Sequence, residues 1–432
     1  MYEAYITELH GLRKHSNADR LQCVSVFGNN VIVDYSYAEG QKVIYFPVDG
    51  QLSEEFAADN NLVRIKDENG NNVGGYLDPE KRNITALKLR GEKSDGLVLP
   101  IEVLSKYTDV SQLKNGDRIT VLNGHEICRK YIPRRNLPKT HSQPVKTNKK
   151  EFRYVESYPL FIEHEDTAQL AYNQNAFKPG DICIITLKMH GTSARTANTI
   201  KKTIKKRNWL AKKLFHMDDK VIVSYDSISG TRRTTLRNFD GGFYGNNAFR
   251  KQYHDFFKEK LPKGMEVYYE IVGYTEGSHT IMSKCNNKLI RDKEFSKKYG
   301  KETIFSYGCA EGESKCFVYR MTMMNEDGYM VELPWDQVQI ECEKIGVQCV
   351  PTFETFIFTT WEDLMERVEK YYDGADPIGK THVREGVVVR IANRPKFTAF
   401  KHKNWSFKCL EGICKDVAET PDMEEAEELL VE

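Results

Sequence analysis

Residues 185–196 read ITLKMHGTSART. With the preceding DICI they form a short apolar run rich in β-branched residues, which predicts a buried strand ending on Lys188. His190-Gly191-Thr192-Ser193 follows directly, and a glycine at that point marks a tight turn where the backbone approaches a neighbour. An amine held at the end of a rigid strand is well placed to act as a nucleophile. A second tetrapeptide of similar form, KSDG at 93–96 inside LRGEKSDGLVLP, competes for the role. Four residues recur by chance too easily to choose between Lys93 and Lys188, so their surroundings must decide.

The chain has 432 residues and 40% hydrophobic content, enough for more than one core, so two or three domains are expected. Formal net charge is +1, so any nucleic-acid surface must come from local clustering. The start, MYEAYITELHGLRKHSNADR, lacks an uninterrupted apolar run, and no stretch approaches the length needed to cross a bilayer. A cytoplasmic protein without a membrane partner is therefore expected, as a monomer. The ten cysteines are scattered without a Cys-x-x-Cys pair. The nearest pairs, Cys309/Cys316 and Cys409/Cys414, lack the form of a zinc knuckle, which favours reduced, mostly buried thiols.

Three regions and a tail emerge. Residues 1–128 contain short β-type runs (LQCVSVFG, NNVIVDY, QKVIYFPV, ITALKLRG, GLVLPIEVL, DRITVLNG) separated by turn residues, a spacing that suggests a small barrel. Residues 129–153 hold nine Lys/Arg against one acid, with three prolines, and read as an extended basic connector. Residues 154–410 mix strands with helices such as NNAFRKQYHDFFKEKL and WEDLMERVEKYY. Residues 411–432 end acidic, as a short helix or a frayed tail. The fold class is α+β.

A lysine that attacks a phosphorus needs carboxylates for a sugar and a divalent metal, and further cations for phosphate charge. Lys188 has candidates downstream. SYDSISGTRRTTL supplies Arg232 and Arg233, and MEVYYEIVGY places Glu270 inside a strand where an unpaired carboxylate would be costly. SKCFVYRMTM offers Phe317 and Tyr319 for stacking. HVREGVVVRI puts Glu385 before Gly386 and a valine run ending in Arg390, and FTAFKHKNWSF brings Lys401 and Lys403 onto one strand face. Taken singly, Glu270 reads equally as an edge carboxylate, Glu385 as a turn residue and the arginines as surface charges. Phe317 alone reads as core, and the two lysines as a solvated strand face. Their joint occurrence in this order is what separates the readings.

In that order the segments resemble the covalent nucleotidyltransferase superfamily of ATP-dependent ligases and capping enzymes, and most closely RNA ligases. KMHGTS resembles their first motif, Lys-x-(His/Asp)-Gly-Thr-(Asn/Ser). YEIVG, EGVVVR and FKHKNWSF resemble later blocks, over about residues 160–408. The resemblance implies antiparallel sheets with flanking helices, ATP as substrate and Mg2+ or Mn2+ as metal. It implies that Lys188 forms a lysyl-AMP, with His190 and Gly191 beside the ribose or nick phosphate. Glu270 would contact the ribose, Glu385 would place the metal, and Lys401 and Lys403 would bind the α-phosphate. Arg232 or Arg233 would hold nucleotide or the substrate 5′-phosphate, Phe317 would stack on adenine, and Ser193 would face nucleic acid. Leu187 stands where an acidic residue often precedes the nucleophile, which leaves the adenine contact unassigned. TIKKTIKKRNWLAKKLFHMDDK (199–220) looks like an insertion, either a grip on RNA or a solvated lid.

Lys93 lies in a different region. KHSNADRL at 14–21 and KLRGEKSDGLVLP at 88–100 resemble the two signatures of the OB-fold tRNA-binding module attached to several aminoacyl-tRNA synthetases, at His15–Leu21 and Arg90–Leu97. The resemblance implies an OB barrel over about residues 1–125, with Lys88, Arg90 and Lys93 as phosphate contacts, or a barrel that only packs on its neighbour. Lys93 then fills a variable position of a turn. The expected function is an ATP-dependent RNA ligase sealing 3′-OH and 5′-phosphate ends, at nicks in a duplex, an RNA/DNA hybrid or a tRNA-like substrate. A capping enzyme or DNA ligase normally carries an OB domain after the last motif, and 24 residues after Lys408 are too few for one. A decayed, non-catalytic RNA-binding protein would be expected to lose the nucleophile early.

Overall fold

The computed structural model describes residues 2–131 and 154–411, apart from 67, 70–71, 208–211, 215, 237, 240–243, 245–246 and 291. Most of the basic connector, the acidic tail from 412, and Trp209, Leu210 and Phe215 lie outside the described residues. The chain divides into two compact units, Met1–Arg135 with Lys408–Thr420, and Asn136–Phe407 with Pro421–Glu432. No helix among the described residues is long and apolar enough to cross a membrane. The nine described cysteines are all free, and eight of them are buried.

In the first unit the runs read as strands do pair. One antiparallel sheet has the order Leu97–Pro100, Lys42–Phe46, Ala4–Glu8, Arg118–Ile119, and a second joins Arg13–Lys14, Leu21–Val26 and Asn29–Asp34. Among the described residues these ladders stay separate, so the expected closed barrel is corrected to several small antiparallel sheets around one apolar core. The reason lies partly in GLVLPIEVL. Pro100 ends its strand and caps a 3-10 turn over Ile101–Leu104, where a continuous strand would be needed to carry a ladder around. Ile6, Ile44, Phe46, Phe56 and Leu104 fill the core.

The two widely separated signatures meet in this unit. His15, 1% exposed, accepts from Asn17 N at Nδ1 (3.0 Å), so its Nε2 carries the proton that is shared with Leu89 O (3.1 Å). Arg13 bonds Glu92 at 2.9 Å. Ser94 Oγ accepts from Ile32 N, Asp95 N donates to Asn30 O, and Tyr45 Oη donates to Asp95 O. KSDG, the end of the strand Glu92–Ser94 and the bend after it, thus fastens one sheet to the other.

The second unit is built on two mainly antiparallel sheets, each with one short parallel pairing at its margin. The five-stranded sheet orders Ala168–Gln169, Ala399–Lys403, Gly386–Ile391, Ile182–Lys188 and Thr352–Ile357. Its centre is buried because Ile182–Lys188 and Gly386–Ile391 are almost wholly apolar, and the helix Trp361–Tyr371 covers it with Leu364 and Val368. The larger sheet runs through Lys220–Gly230, Thr192–Lys205, Met265–Gly273 and Ser314–Met324. Of the segment 199–220, residues 199–205 and Lys220 belong to the far end of a long hairpin, in which Lys205 faces Lys220 across the ladder. Lys188 is the last residue of a strand in one sheet, and Thr192 opens a strand in the other. The turn between them carries the chain across the junction, which is where the site forms.

Candidate active site

Gly191 permits the crossing. A Cβ there would lie 2.4 Å from Ile271 O and 2.9 Å from Glu270 Cγ, so only glycine lets this turn touch the Glu270 strand. His190 N donates to the hydroxyl of the buried Tyr307 (2.7 Å), and the His190 ring meets the edges of Phe305 and Phe407 at 4.5 and 4.7 Å. Gly386 performs the matching service opposite. At φ +151°, with His402 O 2.1 Å from any Cβ, it lets the chain pair with Lys188 on one side and Lys403 on the other.

Glu385 stands just before that glycine and is 2% exposed. Its Oε1 lies 2.7 Å from Lys188 Nζ and 3.4 Å from Lys403 Nζ, and His190 Nδ1 is 3.9 Å from Oε2. Burial alone would raise this carboxyl, but Lys188, then Lys403 and His190, outweigh it and hold it below the usual carboxylate range. Oε2 is buried and has no hydrogen-bond partner. A hard, ionised oxygen with unused acceptor capacity fits a divalent magnesium-type cation.

A narrow cleft of about 110 Å³ opens beside this cluster. Lys188, Glu270, Ser193, Arg232 and Lys401 line it. Sequence reasoning brought these five together, although Ser193 had been given to nucleic acid. Its hydroxyl instead lies 3.0 Å from Tyr319 Oη within the cleft. Arg233 is half-exposed and does not line it, reaching Asp166 only at 3.5 Å.

Phe317 is corrected by the structure as the ring beside the cleft. It is 3% exposed, directly across the ladder from Glu270, and absent from the lining, whereas Tyr319 lines it. The cause is a bulge. Tyr269 pairs with Val318 but Tyr268 with Arg320, so Tyr319 is the extra residue and strict alternation fails there.

In the segment IEHED at 162–166, His164, Glu165 and Asp166 also line the cleft and were missed, because no spacing rule ties them to Lys188. Asp166 receives Arg232 Nη1 at 2.7 Å. Burial works to raise Asp166, but Arg232, Arg233 and Lys401 overcome it and leave it below the ordinary range. His164 accepts from Arg320 at Nδ1 (2.9 Å) and lies face to face with Tyr319. Burial, then Arg320, Arg232 and Arg195, push it well below 6.5, so it is a neutral imidazole with its proton on Nε2.

Arg195 ties this missed segment to the sheet. It is 2% exposed, bonds Glu266 at 2.8 Å, donates to Thr231 O at 3.0 Å and to Ile162 O, and lies 3.7 Å over the Phe161 ring. Burial raises the Glu266 carboxyl against the pull of Arg195. Arg195→Met is therefore expected to cost about 3–5 kcal/mol in denaturant unfolding, because it strands a buried acid. Adding Glu266→Leu should restore much of that loss. A double variant no more stable than the single one would show that the pair is not what matters.

Arg90 and Lys93 belong to the first unit, and both are exposed. Lys88 belongs to the strand Leu87–Leu89, and Arg90 turns the chain at φ 44° toward the strand Glu92–Ser94.

A family model described as RNA ligase matches residues 181–409. A search of curated proteins finds no match. Among solved structures, the chain is similar to a Naegleria gruberi RNA ligase with PPi at 17% identity, covering 94% of this chain and 97% of that one, with TM-score 0.55. An arginine-to-alanine variant of that ligase with ATP and Mn gives 17% identity, the same coverage and TM-score 0.56. A lysine-to-methionine variant with AMP and Mn gives 18%, 93% and 96% coverage, and 0.53. At these identities the likeness establishes a shared fold, while the sequence match spans more than half of the chain. The chain belongs to the RNA ligase family.

Proposed function

We propose that this protein is an ATP-dependent RNA ligase that joins 3′-OH and 5′-phosphate ends in three nucleotidyl transfers. The single observation that carries the reading is the cluster at the sheet junction. There Lys188 meets a buried carboxylate and a second lysine at the edge of a cleft lined by Glu270, Arg232 and Lys401. In the first step Lys188 Nζ bonds to the α-phosphorus of ATP and pyrophosphate leaves. The AMP next passes to the 5′-phosphate of RNA, and the 3′-OH finally displaces it to form the phosphodiester.

Attack requires a neutral amine. Lys188 Nζ donates to Glu385 Oε1, which aims it, and a second cation on the same oxygen favours release of one proton from the pair. Lys401, in the cleft, neutralises charge on the transferring phosphate. Glu270 is placed for the ribose, Tyr319 for the base face, and Arg232, aligned by Asp166, for a phosphate. Mg2+ or Mn2+ would be held by Glu385 Oε2 and would offset phosphate charge. The solved complexes of the Naegleria ligase with ATP or AMP and Mn support this choice of nucleotide and metal.

We further read the first unit as an OB-type nucleic-acid module, supported by the contact between its two signatures, with Arg90 and Lys93 presented on a hairpin. Its task would be RNA binding at a nick or in a tRNA-like fold, in a cytoplasmic monomer. The test is sealing of a nicked RNA duplex with ATP and metal, following labelled protein, AMP-capped RNA and product. GTP in place of ATP should give none of the three. Arg90→Glu/Lys93→Glu is expected to leave protein labelling unchanged and lower sealing roughly tenfold. Equal sealing would remove the substrate role of the first unit.

A further inference from the structure

Residues 284–301, KCNNKLIRDKEFSKKYGK, hold seven basic residues and two acids, a net charge of +5 in a chain whose total is +1. They form a lobe of the second unit. Strand Cys285–Asn286 pairs with Glu302–Thr303, and a 3-10 turn and the helix Lys293–Tyr299 lie between. Arg291 is outside the described residues. Lys284, Lys288, Lys293, Lys297, Lys298 and Lys301 are all exposed, and among the described residues none of the six makes an ion pair. Elsewhere on this unit exposed bases are commonly neutralised, as Lys251 is by Asp255 and Arg367 by Asp363 and Glu354. Lys298 lies over the Tyr299 ring at 5.0 Å, but six like charges without a paired acid among the described residues repel one another and disfavour the compact state, so their clustering calls for an external anion.

The lobe is held firmly despite that charge. Asn287 is fully buried, its Nδ2 donating to Tyr299 O and Gly300 O (3.3 and 3.0 Å), while its Oδ1 accepts from Thr303 Oγ1 at 2.7 Å. Asp292 caps the helix by accepting from Glu294 N and Phe295 N. The lysines are thus presented from a fixed base, which lowers the entropy lost on binding.

Its position is set by the chain. Phe305 is four positions beyond Lys301, so their Cα atoms lie at most about 14 Å apart. Phe305 touches His190, and Tyr307 holds the His190 amide.

We infer that the lobe at 284–301 grips the phosphate backbone of the RNA substrate beside the nick, holding the ends at Lys188 while the nucleotide cleft stays separate. This inference rests on the RNA ligase reading above. A polynucleotide is the anion that matches, since it offers evenly spaced charges over the length of such a lobe.

The experiment compares the full chain with Lys284→Ala/Lys297→Ala/Lys298→Ala/Lys301→Ala, and with the same four positions changed to Arg. Lysyl-AMP formation, which needs no RNA, and sealing of a nicked RNA duplex are both followed across a salt series. The alanine variant should form lysyl-AMP at the wild-type rate. Its KM for the nick should rise roughly 10–100-fold at physiological salt, with the log–log salt slope of binding reduced by about three. The arginine variant should behave as wild type. Unchanged KM or an unchanged salt slope in the alanine variant would overturn the inference. A parallel loss of lysyl-AMP, or failure of the arginine variant, would overturn it equally, because the lobe would then serve the fold or the nucleotide. Failure of the wild-type chain to form lysyl-AMP or to seal would instead sink the ligase reading.

Discussion

Lys188→Ala is expected to lose labelling from α-labelled ATP down to background, a fall of at least about a thousandfold, because no other group can form the phosphoramidate. Lys93→Ala should label within twofold of wild type. Its tetrapeptide fastens two sheets of the first unit together, where Ser94, Asp95 and Tyr45 make structural hydrogen bonds. Lys188→Arg separates chemistry from packing. A guanidinium can still face Glu385 but stays protonated, so the site remains folded and inert. Supplied with AMP-capped RNA, the Lys188→Ala protein should regain sealing, since the last step does not use that amine as nucleophile. Covalent label surviving in Lys188→Ala would end the assignment.

Glu385→Gln is the second large effect. The change leaves Lys188 and Lys403 crowded beside a neutral amide and removes the oxygen assigned to the metal. Protein labelling should fall about 100- to 1,000-fold. Stability should fall by about 3–5 kcal/mol at neutral pH, as expected when one partner of a buried ionic cluster is lost. The pH dependence has a definite sign. Because its neighbours hold the folded Glu385 carboxyl below its ordinary 4.5, its contribution is present above 4.5 and disappears as pH falls through the lowered folded value. Unfolding of wild type and Glu385→Gln in urea should therefore converge below about pH 4.5. A gap that stays constant from pH 7 to pH 3, or labelling at the wild-type rate, would contradict the role given to this carboxylate.

The second unit was legible because its chemistry is written into short strands. Between Asp181 and Lys188 the run ICIITL is apolar but for Thr186, so burial and the placement of Lys188 follow from one another. EGVVVR reads the same way from the other end, with Glu385 and Gly386 just before the valines. The lysine pair was legible as to face but not as to partner. Lys401 lines the cleft while Lys403 turns to Glu385, a division that depends on which neighbour each meets. Phe317 was misjudged because alternation assumes an unbroken ladder, and a single bulge gave the cleft to Tyr319.

The first unit shows the opposite balance. Its strands were found in the sequence, but whether they close depends on continuous pairing, and Pro100 gives way to a 3-10 turn where the ladder would have to continue. The contact between His15 and Leu89 could not be measured from two signatures more than seventy residues apart.

By itself the sequence determined the strand that ends on Lys188, the order of the carboxylates and lysines that serve it, and the family they belong to. These are properties of local hydrophobic pattern and of residue type, which survive without knowledge of neighbours. Tertiary structure alone decided that IEHED joins the cleft, that Tyr319 replaces Phe317, and that Arg195 fastens the two cleft-lining segments to the sheet. It also decided that Glu385 shares one oxygen between two lysines and leaves the other without a hydrogen bond. Each of these is set by which strands lie side by side and by where a ladder slips, and burial then fixes the charge that each group carries.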